Sequence, residues 1–117
     1  MIQEIIKKYG VIPDSNVNNI SYVYKTNTAE IEMYCGNIEN DFKYETIQIK
    51  FKDVKELILK SPGASAIFAP TEVFIQVKND IILFDFDPIF DIDSLEENPE
   101  SLFKIKCKEV SYTVIKA

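Results

Sequence analysis

Through most of this chain apolar residues fall at every second position. That spacing puts them on one face of a β-strand and the polar residues on the other. Ile20, Tyr22 and Tyr24 alternate with Ser21, Val23 and Lys25; beyond a turn at Thr26-Asn27-Thr28 come Ala29, Ile31, Met33 and Cys35. A polar connection from Gly36 to Lys43 leads to Ile47, Ile49 and Phe51. A bend at Lys52-Asp53 is followed by a short strand holding Leu57 and Leu59. Val73, Ile75 and Val77 then run through Asn79-Asp80, a connection suited to a tight hairpin, into Ile82, Phe84 and Phe86. The final strand changes phase, from Phe103, Ile105 and Cys107 to Val110, Tyr112 and Val114. A one-residue slip reverses the buried face, so a β-bulge is predicted near Lys108-Glu109.

Helical spacing occurs at Ile2, Ile5, Ile6 and Tyr9, with Gly10 as the terminating residue and Val11 expected to pack back on the last turn. A single helical turn is also predicted from Asp93 or Ser94 to Asn98, before Pro99. The predicted fold is mainly β, or α+β with one short N-terminal helix. It is one domain over residues 1–117, an antiparallel meander of about six or seven strands in a sandwich or partly open barrel.

The 117 residues include no histidine, arginine or tryptophan. Without histidine there is no Ser-His-Asp or Cys-His pair and no imidazole metal ligand. Without arginine there is no bidentate clamp for carboxylate or phosphate. These absences argue against most enzymes, and no cofactor is expected. The N-terminus shows no signal peptide and no apolar run is long enough to span a membrane, so a cytoplasmic protein is expected. Cys35 and Cys107, both in apolar phase, read as reduced, buried thiols. A disulfide would need their Cα atoms within about 7 Å.

Net charge is −6, unevenly spread. Residues 79–103 hold eight acids and no lysine, whereas the remainder carries eleven acids and thirteen lysines. Such a segment repels nucleic acid and attracts a basic protein or a divalent cation. Within it, Asp85-Phe-Asp-Pro-Ile-Phe-Asp-Ile-Asp93 and Glu96 partly copy the oxygen spacing of a calcium loop. Ile89 and Phe90 occupy a ligand position and the glycine position of that loop, and no helix precedes Asp85. The plainer reading sets Asp85 and Asp87 on a solvated strand face opposite Lys104, Lys106 and Lys108, as exposed cross-strand ion pairs. No burial is predicted that would raise a carboxylate for acid–base work, either there or at Glu30/Glu32. Ile67 and Phe68, in a loop bounded by prolines, read either as a plug for an open sheet end or as partner contacts. Tyr22, Tyr24, Tyr34 and Tyr44 carry the same two readings, as cross-strand packing or as interface residues.

Four stretches taken together carry a resemblance: Pro13-Asp-Ser-Asn-Val-Asn-Asn-Ile-Ser-Tyr-Val-Tyr24, Ala29-Glu-Ile-Glu-Met33, Ile47-Gln-Ile-Lys-Phe-Lys-Asp-Val-Lys-Glu-Leu-Ile-Leu59 and Phe103-Lys-Ile-Lys-Cys-Lys-Glu-Val-Ser-Tyr112. They resemble small β-rich bacterial immunity proteins of polymorphic toxin systems. That family opens with His-Asp-Ser/Ala-x-Ile and carries Phe-x-x-Val-x-x-Leu mid-chain; Pro13 stands where it has histidine. The resemblance implies a non-enzymatic cytoplasmic binder that covers a toxin's active site. The partner contacts expected are Asp85, Asp87, Asp91, Asp93, Glu96, Glu97, Ile67 and Phe68. A divalent-metal domain using the same carboxylates and a self-assembling structural subunit are the alternatives, and oligomeric state is left open.

Overall fold

A computed structural model describes residues 1–60 and 69–116. The helix α1 (Ile2–Tyr9) leads into ten strands: β1 (Asn16–Val23), β2 (Thr28–Asn37), β3 (Lys43–Lys52), β4 (Glu56–Leu59), β5 (Phe74–Lys78), β6 (Ile81–Asp85), β7 (Ile89–Asp91), β8 (Ser94–Glu96), β9 (Phe103–Cys107) and β10 (Glu109–Lys116). They form two four-stranded antiparallel sheets, ordered β1-β2-β3-β10 and β4-β9-β6-β5, and a separate β7-β8 hairpin. Neither sheet closes into a barrel. α1 is eight residues long, and no helix among the described residues is long and apolar enough to cross a membrane.

The mainly β, antiparallel architecture is the one the alternation predicts. The order departs from a meander because β3 and β4, adjacent in sequence, lie in different sheets, and β9 enters between β4 and β6. The strand count exceeds the expected six or seven for two reasons. The predicted bulge at Lys108 is a change of sheet, splitting one expected strand into β9 and β10. The segment read as a helical turn from Asp93 or Ser94 to Asn98 instead forms β8, paired with β7.

Both changes of sheet happen at one corner. Asp53, at φ 54°, turns the chain out of β3. Lys108 N donates to Lys52 O (3.2 Å) and Lys55 N to Lys106 O (2.7 Å), so the two strands stay paired around the bend. Asn27 fastens the first hairpin there: its Nδ2 donates to Val54 O (2.8 Å) and its carbonyl accepts from Val54 N (3.2 Å). The reversal of phase after Cys107 follows directly. Phe103, Ile105 and Cys107 reach the core from one sheet, and Val110 reaches it from the other.

The core joins Ile31, Met33, Ile47, Ile49 and Phe51 to Ile82, Phe84, Ile105 and Cys107. Phe51 meets Phe84 edge-on at 5.1 Å, and Phe86 stacks on Phe103 at 4.3 Å. Tyr22 and Tyr24 are exposed, on the sheet-edge strand β1 and the turn after it. Helix α1 buries Ile2, Ile5 and Tyr9, whereas Ile6, expected on the same face, is exposed and lies at the margin of that face. Gly10 adopts φ 60° and ψ −128°, a backbone conformation that favours glycine. Contrary to expectation, Val11 stays exposed and Ile12 turns inward, because the Val11 carbonyl is drawn to Val73 N (2.7 Å).

Cys35 and Cys107 are free, buried thiols on strands of different sheets, and burial pushes each up to about 12. Neither should react with Ellman's reagent at pH 8 in the folded protein, and both should react in denaturant. Reaction of the native chain would contradict the placement.

Candidate functional site

The acidic segment divides into two parts that do different things. At the end of β6, Asp85 stands opposite Lys104 in register, as the strand pairing predicts. Its carboxylate is nevertheless fully buried. Oδ1 accepts from Asp87 N (2.9 Å) and Ser101 Oγ (2.6 Å), and Oδ2 accepts from Asn98 N (2.7 Å). Asp87 adds a second fastening, with Oδ2 accepting from Leu102 N (3.0 Å) and its carbonyl from Asn98 Nδ2 (3.0 Å). Residues 86–102 leave β6 and return to β9, and these bonds tie the two ends of that excursion together. Asp85 is therefore an internal fastener with no surface to offer a partner, correcting the solvated face expected for it. Sequence could not show this, because the covering groups come from 13 and 16 residues downstream.

The lysines follow suit. Lys104 Nζ turns to Glu97 Oε2 (2.8 Å) instead of Asp85, and Lys106 Nζ approaches the same oxygen at 3.3 Å and Glu56 at 3.8 Å. Lys104 is buried and Glu97 half-buried, so the expected row of exposed pairs is replaced by one anchored cluster. The hydrogen bond from Lys104, followed by that from Lys106 and both charges, outweighs burial and holds the Glu97 carboxyl below the usual range.

Asp91, Asp93 and Glu96 lie on the β7-β8 hairpin and are exposed. None makes an ion pair among the described residues. Between Asp91 and Asp93 the turn carries Ile92, 94% exposed, and Phe90 beside it is 54% exposed. The hairpin forms one wall of a groove of ≈570 Å³, whose other walls are the end of α1 and the start of β5. Ile6, Val11, Phe90 and Ile92 give it an apolar lining, and Glu72, Asp91 and Asp93 an acidic one. Phe90 and Ile92 were not among the expected contacts. Their signal was large apolar residues, Phe86, Ile89, Phe90 and Ile92, interleaved with the acids of residues 85–93. Ile67 and Phe68 fall outside the described residues.

A second polar cluster lies under α1. Tyr9 Oη donates to buried Glu45 Oε1 (2.5 Å), which also accepts from Asn37 Nδ2 (3.2 Å). Burial first, and Glu45 second, push the Tyr9 hydroxyl far above its ordinary value. Cys35 pairs with Glu45 across β2 and β3, yet its thiol stays protonated and is a poor nucleophile. The cluster anchors the helix to the sheet. Among the described residues no group of three or more His, Cys, Asp or Glu is placed to hold a metal ion.

Replacing Asp85 by alanine strands buried donors and should cost about 3 kcal/mol in urea denaturation. A loss under about 0.5 kcal/mol, the range of ordinary surface changes, would refute the fastener role. Because the Glu97 carboxyl is depressed on folding, its stabilisation is present above the unfolded value near 4.5 and is lost as pH falls through the folded value. Glu97→Gln should therefore lower stability at pH 7 and flatten its fall below pH 4.5. An unaltered pH profile would show that Glu97 contributes nothing. Set against protein-family models, curated proteins and solved structures, the chain matches none of them.

Proposed function

We propose that this chain is a non-enzymatic protein-binding domain of the immunity type, acting in the cytoplasm to neutralise a basic toxin by covering it with an acidic face. The observation that carries this reading is the β7-β8 hairpin. Three carboxylates without cationic partners among the described residues accompany three exposed apolar side chains there, Ile89, Phe90 and Ile92. Large apolar anchors supply affinity once desolvated, and unpaired charges of one sign speed the approach of an opposite surface and select for it. Asp85 supports the face from inside, and Asp87 and Glu97 stand at its base.

The test begins with capture of a basic partner from the native host at low salt and its release at high salt. Changing Asp91→Asn, Asp93→Asn and Glu96→Gln together should weaken that complex at least tenfold and flatten its salt dependence, with the urea midpoint unchanged. Undiminished affinity in this variant would sink the acidic-face reading.

A further inference from the structure

β5 ends its sheet, and its backbone geometry defines which groups face outward. Asn79 (φ 53°) and Asp80 (φ 62°) make a two-residue hairpin closed by Lys78 and Ile81. Residues flanking such a turn exchange both N–H···O bonds, and the pattern repeats every second residue. Lys78, Gln76 and Phe74 thus turn their backbone groups to β6, while Val77 and Ile75 turn theirs to the open edge. Val73, next in that phase, confirms the direction: its N–H already bonds Val11 O (2.7 Å) on that side. Among the described residues, nothing past Val11 pairs with this edge, and the outward groups of Ile75 and Val77 have no backbone partner. Val77 is 55% exposed.

This open edge runs alongside the groove, whose ≈570 Å³ lies within the range of about 300–1,000 Å³ typical of ligand clefts. Glu72, Asp91 and Asp93 line it, and among the described residues no basic one does. Resting on the protein-binding reading above, we propose that the partner docks by adding an extended basic segment as a further strand beside β5. Its backbone satisfies Ile75 and Val77, and one apolar side chain seats between Val11 and Ile92. Lysines or arginines two residues to either side of it, on the same face of the added strand, meet Glu72, Asp91 and Asp93. Main-chain bonds supply affinity in such additions, and alternate side chains supply selectivity. A second copy of this chain would bring the same three carboxylates to the groove, which disfavours it as the occupant.

The test uses the isotope-labelled full chain and the acetylated, amidated peptide Thr-Lys-Thr-Val-Thr-Lys-Thr, whose valine and lysines share one strand face, with a glutamate-for-lysine control. Amide shifts should concentrate at Ile75, Val77 and residues 90–95, and the control should not bind. Val77→Pro removes only an outward donor, a change edge strands tolerate, and should weaken binding at least tenfold. Phe90→Ser with Ile92→Ser, at exposed positions that leave the core intact, should do the same. Absence of binding at millimolar peptide overturns the proposal, as do shifts mapping elsewhere with both variants unaffected. Concentration-dependent protection of the Ile75 and Val77 amides without peptide would assign the edge to a second copy and overturn it too. A natural partner that is weakened by the Asp91/Asp93/Glu96 changes but indifferent to Val77→Pro would keep the acidic face and reject strand addition.

Discussion

The ribbon made of β3-β4 and β9-β10 bends from one sheet into the other while both of its strands stay paired, and the rest of the fold is arranged around that bend. A strand that turned alone would leave its own and its neighbour's backbone groups unbonded in a region beside the core. Here the bonds from Lys108 to Lys52 and from Lys55 to Lys106 carry the ladder around the corner, and Asn27 brings the first hairpin onto the same point. Strands that switch sheets at bends are a general way to face two sheets across one core. The consequence in this chain is that Phe51 and Phe84, from opposite sheets, meet edge-on.

A second constraint acts at the far end of β6. A carboxylate stripped of water is costly unless its oxygens are matched by donors, and Asp85 meets that condition with two backbone N–H groups and a serine hydroxyl. The requirement shapes the segment above it. Residues 86–102 must close back over Asp85, and the part between the fastened ends projects as the β7-β8 hairpin. Glu97 draws Lys104 and Lys106 to the hairpin's base, so the lysines nearest the acidic segment are spent on structure. The tip carboxylates Asp91, Asp93 and Glu96 make no ion pair among the described residues. Stability at the base and unneutralised charge at the tip are two outcomes of one arrangement.

Much of the fold was legible in the residues. Ile2, Ile5 and Tyr9 form the buried face of the only α-helix among the described residues, and Gly10 ends it with positive φ. The alternating runs at 29–35, 47–51 and 82–84 face the core, and the Asn79-Asp80 hairpin is where the turn residues put it. The candidate site was half legible. The excess of acids in residues 79–103 marked the region, but Phe90 and Ile92 went unread because a period of two cannot place residues in a projecting hairpin. Val11 and Ile12 exchanged roles because one backbone bond to Val73, 62 residues away, outweighed the local pattern.

The sequence by itself determined local facts: which of the alternating stretches are strands, which face of each is apolar, where the Asn79-Asp80 turn lies, and how charge is distributed along the chain. These depend on side-chain period and backbone preference within a few residues, so they can be read without knowing what lies nearby in space. Only the tertiary structure decided which strands are neighbours, that the phase break at Lys108 is a change of sheet, and that Asp85 is covered while Asp91 and Asp93 are not. Burial is a property of what packs on a residue, and for Asp85 the covering groups, Asn98 and Ser101, arrive only after the chain has gone out and come back.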